Sequence, residues 1–144
     1  MFRIILFLWL LLSGLPLSKA QNFCAKAKPV TCGTKIFGDN FSSGNSLIHA
    51  SYGNCTADLN QYDDPYTGND VVYKIDVVNS NMRIYLEDHT ADLDVFVFEG
   101  CDLASARCVG RSIRNNISDE DLTIRNANGT YYIVVDGYDR KAKK

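Results

Sequence analysis

The sequence predicts an all-β domain, an antiparallel β-sandwich made of short strands. Three observations predict it. The first is the run Asn128-Gly129-Thr130-Tyr131-Tyr132-Ile133-Val134-Val135-Asp136-Gly137-Tyr138, in which β-branched and aromatic residues stand between an Asn-Gly and an Asp-Gly pair. Such residues suit a pleated, buried strand, and the two dipeptides suit the backbone of tight turns. The second is a companion run, Ala91-Asp92-Leu93-Asp94-Val95-Phe96-Val97-Phe98. The third is a negative pattern: beyond residue 20 no segment sustains an apolar period of 3.6, whereas short alternating segments recur between turn residues.

Residues 1–20 read as a secretory signal peptide. Arg3 supplies the positive start, residues 4–12 are apolar, and Ser18-Lys19-Ala20 places small residues at the −3 and −1 positions of a cut after Ala20. The apolar stretch is shorter than the roughly 20 residues that span a bilayer, so a leader is expected rather than an anchor. Secretion, an extracellular location and a single domain over 21–144 follow as expectations.

Within that domain the segments read in order. Residues 34–37 predict a first strand, and 38–69, rich in Gly, Ser, Asn and Asp, a long loop. Val71, Tyr73, Ile75 and Val77 then alternate with more polar neighbours. Asn79-Ser80-Asn81 predicts a turn, and Met82, Ile84 and Leu86 alternate again, so a hairpin is expected. Residues 93–98 are apolar on both faces beyond Asp94, which predicts a central strand. Residues 107–113 and 122–125 predict weaker strands, and 130–135 a second central one.

The chain carries 15 basic and 17 acidic residues. Without Arg3 and Lys19 the balance is 13 against 17, a net −4. Four of those 13 are Arg140, Lys141, Lys143 and Lys144, so residues 21–139 carry 9 against 17, a net −8. That surface argues against nucleic acid and against anionic membranes as partners. Fourteen of the acids are Asp, a residue of turns, loops and calcium sites. Of the five cysteines, Cys101 and Cys108 bracket a short loop and are expected to pair. Cys32 with Cys55 is the second expected disulfide, which leaves Cys24 over.

Several elements together resemble the bacterial pre-peptidase C-terminal domain family. They are Cys32-Gly33, Tyr52 before Cys55, Gly68-Asn69-Asp70-Val71-Val72-Tyr73, Asp92-Leu93-Asp94-Val95-Phe96 leading to Cys101, Cys108, and Gly129-Thr130-Tyr131-Tyr132-Ile133-Val134-Val135-Asp136-Gly137. The resemblance covers nearly all of 21–144. It implies a compact jelly-roll-like β-sandwich without catalytic activity, of a kind that aids secretion or binds insoluble polymers and in some members Ca²⁺. The family pattern has one more strand after the Asp-Gly turn. Here Tyr138-Asp139 runs into a basic tail, so a sandwich lacking its last strand is expected, with an exposed edge open to a strand from another chain.

Asp92 and Asp94, two apart on a strand, are expected to point to one side and to be candidate Ca²⁺ ligands, with Asp70 and Asp136 as further oxygen donors. The same pair is too close and too alike for the separate acid and nucleophile roles of a glycosidase. His49 and His89 lie in no metal or catalytic motif, and no Gly-x-Ser-x-Gly elbow is present, so no catalytic residue is assigned. Tyr85, between Arg83 and Glu87, is the candidate exposed aromatic for stacking on a polymer. Four Asn-x-Ser/Thr triplets, at Asn40, Asn54, Asn116 and Asn128, match the glycosylation pattern; in a bacterial host they would carry no meaning, and they read as chance products of an Asn- and Ser-rich composition. The expected function is that of a secreted, non-catalytic accessory or binding domain for an extracellular polymer or protein. The alternatives are a small secreted hydrolase with an unrecognised site and an adhesion module that uses its edge strand.

Overall fold

A computed structural model describes residues 23–59, 66–87, 89–102 and 105–139. The leader at 1–20, the side chain of Cys24, the loop acids Asp63 and Asp64, and the basic tail lie outside the described residues. The domain is all-β, as its alternating segments predict. Five strands form one sheet in the order β1-β2-β5-β3-β4, with β1 at Lys28–Pro29, β2 at Asp70–Leu86, β3 at Leu93–Glu99, β4 at Arg107–Ser112 and β5 at Glu120–Gly137. All neighbours are antiparallel except β1, which runs parallel to β2 over Tyr73 and Lys74. The two apolar runs that predict central strands occupy the middle of this order, as β5 and β3.

Two expected turns are not turns. Residues 70–86 are one strand, and so are 120–137, and the two pair along almost their whole length. The predicted hairpin at Asn79-Ser80-Asn81 is instead a pair of register shifts, between Val77 and Ser80 and between Ser80 and Met82. Asn79 has φ 42°, and across the ribbon Asn126 has φ 54° and Gly129 φ 139°. The left-handed residues that could have closed turns here bend two paired strands together, as β-bulges do. The predicted strand at 34–37 is also absent: that segment is irregular, with Phe37 exposed, and the first strand lies upstream at Lys28–Pro29. A buried strand needs a partner strand along its length, and among the described residues none is registered with Ile36 or Phe37.

The bend gives the sheet its core. Val71, Ile75 and Val77 of β2, Val95 and Val97 of β3, and Ile133 and Val135 of β5 form one apolar face. Met82, Ile84 and Leu86 of β2, with Leu122 and Ile124 of β5, pack on that same cluster from beyond the bulges. The far arm of the β2–β5 ribbon therefore folds back over the sheet that carries it. Its closeness is visible at Gly110 of β4, where an added Cβ would stand 2.7 Å from Ile124 Cδ1. The opposite face carries Val72, Phe96, Phe98, Tyr132 and Val134, and its cover is not a strand. Leu47, Tyr52, Cys55 and Tyr66, all from the long irregular segment between β1 and β2, lie on it.

A disulfide joins this cover to the sheet. It links Cys55 to Cys108 of β4, with Cα atoms 5.5 Å apart, and corrects both expected pairings. Across the β3–β4 hairpin Cys108 is registered with Phe98, not with Cys101, which lies past the end of β3. Cys108 thus faces the aromatic layer where Cys55 arrives from above. Cys101 is disulfide-bonded, though not to Cys108, and Cys32 is free and exposed. The link spans 53 residues, a separation at which chain-entropy arguments give about 4 kcal/mol. Peptide mapping without reduction is expected to recover a Cys55–Cys108 peptide. Cys55→Ala should lower the Tm well beyond any change in Cys32→Ala, and equal Tm values would contradict the placement.

Gly68 fixes where the cover meets β5. Its N–H donates to Gly137 O at 3.0 Å, and a Cβ there would lie 2.4 Å from that oxygen and 2.6 Å from Asp139 O. Backbone cannot yield as a side-chain tip can. Gly68→Ala is expected to cost about 2–4 kcal/mol, read as a shift in denaturant midpoint. A change below 0.5 kcal/mol would contradict this close approach.

Candidate functional site

Strand register assembles what sequence spacing cannot show. Asp136 of β5 pairs with Asp70 of β2 on one side and with Asp94 of β3 on the other. Three carboxylates therefore stand in a row across three adjacent strands, on the face that carries Val72, Phe96 and Val134. They are buried: Asp70 is 5% exposed, Asp94 3% and Asp136 0%. Three of the four candidate metal ligands are thus brought together. Asp92 is not in the row: its carboxylate accepts the backbone N–H of Asn116, on the β4–β5 connection, and its own carbonyl accepts Tyr138 N–H at 3.0 Å.

The row is built into the cover. One oxygen of Asp70, Oδ2, accepts the backbone N–H groups of Ser46 and Leu47, the latter at 2.8 Å. Asp70 N–H in turn donates to Gly44 O at 3.0 Å. Asn40, 1% exposed, donates through Nδ2 to Asn69 O at 2.6 Å, and Asn69 donates through Nδ2 to Phe41 O at 2.8 Å. An irregular segment has no ladder to satisfy its backbone, so these side chains take that role. At the centre, Tyr52 donates its hydroxyl proton to Asp136 Oδ2. Its ring stacks on Phe96 at 4.1 Å between centroids and meets Tyr66 edge-on at 5.4 Å. Tyr52 sits in a seven-residue 3₁₀ segment, His49–Cys55, anchored at its end by the disulfide.

Burial governs the charge of the row. It pushes the Asp136 carboxyl up to about 8, with the Asp70 and Asp94 carboxylates adding to the rise and the Tyr52 hydrogen bond opposing it. Burial also raises Asp70, against the two loop N–H groups that favour its charged form. The Tyr52 hydroxyl is pushed well above its usual range, by burial first and then by Asp136, so it stays a donor. At neutral pH Asp136 is a neutral acid. Its Oδ1 has no hydrogen-bond partner among the described residues.

A calcium ion fits this row less well than a proton does. Ca²⁺ takes six to eight oxygens at about 2.3–2.6 Å. Here Asp70 Oδ2 already holds two N–H groups and Asp136 Oδ2 holds a phenol. Among the described residues no group of three or more His, Cys, Asp or Glu has the geometry of a metal site.

The other candidate residues lie apart. Tyr85 is 48% exposed at the far arm of β2. Its hydroxyl donates to Asp119 Oδ2 at 2.7 Å, and the Arg83 guanidinium lies 5.2 Å from its ring centre. Arg83 itself forms a two-pronged pair with Asp121 at 2.8 Å for each bond. His89 is buried, its ring nitrogens 2.7 Å from Ala91 O and 3.1 Å from Ser118 O. Sequence reading missed Tyr52 as the partner of Asp136, 84 positions away, and Asn40, and it missed Glu120. Glu120 is 1% exposed, with Oε1 accepting the Arg114 N–H at 2.9 Å and Oε2 unpartnered among the described residues. Only the Tyr52-before-Cys55 element hinted at any of these.

No protein-family model, no curated protein and no solved structure matches this chain.

The row makes stability depend on pH with a definite sign. Asp136 holds its proton up to about 8 when folded, against 3.8 for a free Asp side chain. Between those values the folded state binds more protons than the unfolded one. Its contribution is therefore greatest below about pH 4 and declines toward pH 8, by about 1.4 kcal/mol per pH unit at its steepest. The Tm is expected to fall from pH 5 to pH 8 and to fall less in Asp136→Asn, which keeps the shape without the charge. Parallel pH profiles of the two proteins would contradict a buried neutral Asp136.

Proposed function

We propose that this chain is a secreted, non-catalytic binding module: a disulfide-linked β-domain, of the jelly-roll-like sandwich type found in pre-peptidase C-terminal domains, that holds an extracellular polymer or protein on its outer surface. One observation carries the reading. Among the described residues, the row of buried carboxylates at Asp70, Asp94 and Asp136 lies beneath the cover, and Asp70 and Asp136 hold the cover to the sheet. Carboxylates that catalyse hydrolysis must reach a substrate and a water. A row this deep serves a rigid scaffold instead. The disulfides support an oxidising compartment.

On the outside, Tyr85 offers half its ring beside Arg83 and Asp121, an amphipathic patch suited to stacking on a sugar or a peptide. Retention of the purified domain on insoluble chitin, cellulose and collagen, beside a screen for hydrolase activity, tests the reading. Retention without turnover is expected. Tyr85→Ala should weaken retention several-fold with the Tm unchanged. Turnover abolished by one substitution, or no retention on any polymer or protein partner, would defeat it.

Calcium is the second reading, favoured by the buried Asp136 Oδ1, which has no hydrogen-bond partner among the described residues. Under it, Ca²⁺ added after chelation raises the Tm, and more at pH 8 than at pH 5, because the ion needs the charged carboxylates. A protonated Asp136 with no ion beside it predicts no response to Ca²⁺ at either pH. The third reading, adhesion by strand addition, draws on β1: it pairs with β2 only at Tyr73 and Lys74. Such an edge accepts another strand, and light scattering would then show particle size rising with concentration.

A further inference from the structure

We propose that Asn116 is an N-glycosylation site when this chain passes through a eukaryotic secretory pathway, and that Asn40 is not. The proposal rests on reading residues 1–20 as a secretory leader. The sequence offers four acceptor triplets of identical pattern, and the fold separates them.

Asn40 is 1% exposed, and its Nδ2, the atom that would carry the sugar, donates to Asn69 O at 2.6 Å beside the Asp70 anchor. A glycan there would displace the cover from the carboxylate row. At Asn54 the asparagine is exposed, but the triplet continues through Cys55, which is joined to Cys108, and Thr56, which is 2% exposed with its hydroxyl donating to His49 O at 3.1 Å. Asn128 is exposed but lies inside β5, and the hydroxyl of Thr130 donates to Asp76 Oδ1.

Asn116-Ile117-Ser118 is different in kind. It lies on the connection between β4 and β5, and all three residues are exposed, Ile117 at 65%. Its backbone is nonetheless fixed. Asn116 N–H donates to the Asp92 carboxylate, Ser118 O meets a ring nitrogen of His89, and Arg114 N–H reaches buried Glu120. Asn116 takes φ 65°, a left-handed conformation that asparagine tolerates better than most residues. The interior side of this loop is bound by its main chain, and its side chains are left to solvent. A large polar glycan can be carried there without breaking any of those bonds.

The step is a group transfer. The donor is an oligosaccharide linked through pyrophosphate to a lipid. A bond forms from Asn116 Nδ2 to the anomeric carbon of the first sugar, the bond from that carbon to the phosphate oxygen breaks, the lipid pyrophosphate departs, and Nδ2 loses one proton. Transfer precedes folding, so the folded structure decides which occupied sites are compatible with a secreted product.

The full chain should be expressed in a cultured animal cell line, once with its own first 20 residues and once behind a leader of known function. Secreted protein is then treated with peptide N-glycosidase in ¹⁸O-water, which converts a glycosylated Asn to a labelled Asp. Labelled Asp is expected at position 116 and not at 40. Ser118→Ala should lose one glycan from the intact mass with secretion yield and Tm unchanged, and Asn116→Gln should lose the same glycan with a small fall in Tm, because glutamine tolerates the left-handed backbone at this position less well than asparagine. Secreted, folded protein with an unlabelled residue 116, or with label at 40, overturns the proposal. Export only behind the foreign leader would defeat the secretion reading alone, since occupancy at Asn116 is still read in that arm.

Discussion

The constraint on which the rest of this structure depends is the attachment of an irregular cover to a sheet face that has no second sheet above it. The face is aromatic and large, with Phe96, Phe98, Tyr132 and Val134 on its central strands. Left open it would be a wide apolar patch of the kind that drives association. The residues that close it, Leu47, Tyr52 and Tyr66, come from a segment whose one regular element among the described residues is a short 3₁₀ helix. Such a segment cannot hold itself in place by a hydrogen-bond ladder. It is held by side chains: Asp70 on two loop N–H groups, Asp136 on Tyr52, the Cys55–Cys108 bond, and Arg111 of β4, which grips Asp58 through two bonds of 2.6 Å. The first two ties are buried and the last is largely solvent-exposed at Asp58, so the buried ones carry most of the specificity.

The opposite face solves the same problem by another route. The β2–β5 ribbon is long enough to pass beyond β3 and return over the sheet, and the bulges around Val77, Ser80 and Met82 supply the bend. Positive φ at Asn79, Asn126 and Gly129 lets both strands turn together without losing their pairing. One sheet thus encloses its own apolar cluster on one side and borrows a loop for the other. The two solutions meet at β4, whose Gly110 approaches Ile124 of the returning arm while its Cys108 holds the cover.

Much of this was legible in the sequence, and the failures share a cause. Alternation in 71–77 and 82–86 marks the buried side of β2 correctly on both sides of the bulge, and the apolar runs at 93–98 and 130–135 are central strands because both of their faces are covered. Local chemistry could not tell a turn from a bend. Asn-Gly and Asn-Ser-Asn provide left-handed backbone in either case, and only the partner strand decides which is made. The disulfides failed for a related reason. Short spacing favoured Cys101 with Cys108, but register places Phe98 across from Cys108, and the actual partner is 53 residues away. Of the site, Asp70, Asp94 and Asp136 could be singled out as acids at strand ends, whereas their alignment is a property of register alone. Asp92, two residues from Asp94, lies before the strand begins, so the alternation that should have placed it beside Asp94 does not reach it.

A buried carboxylate row is usually a liability, because each charge loses its hydration and repels its neighbours. Here the cost is limited by keeping Asp136 neutral and by giving Asp70 two backbone donors. The neutral acid accepts the Tyr52 hydroxyl without needing a counter-ion, which an apolar layer of Phe96 and Tyr66 could not supply. The arrangement also explains why acid-rich composition and a tight cover coexist in one small domain. Replacing the row by apolar residues would leave the buried N–H of Leu47 and the half-buried N–H of Ser46 without their acceptor, a penalty comparable to the loss of the hydrogen bonds themselves. The carboxylates satisfy donors of the loop above them, and that loop shields them from solvent.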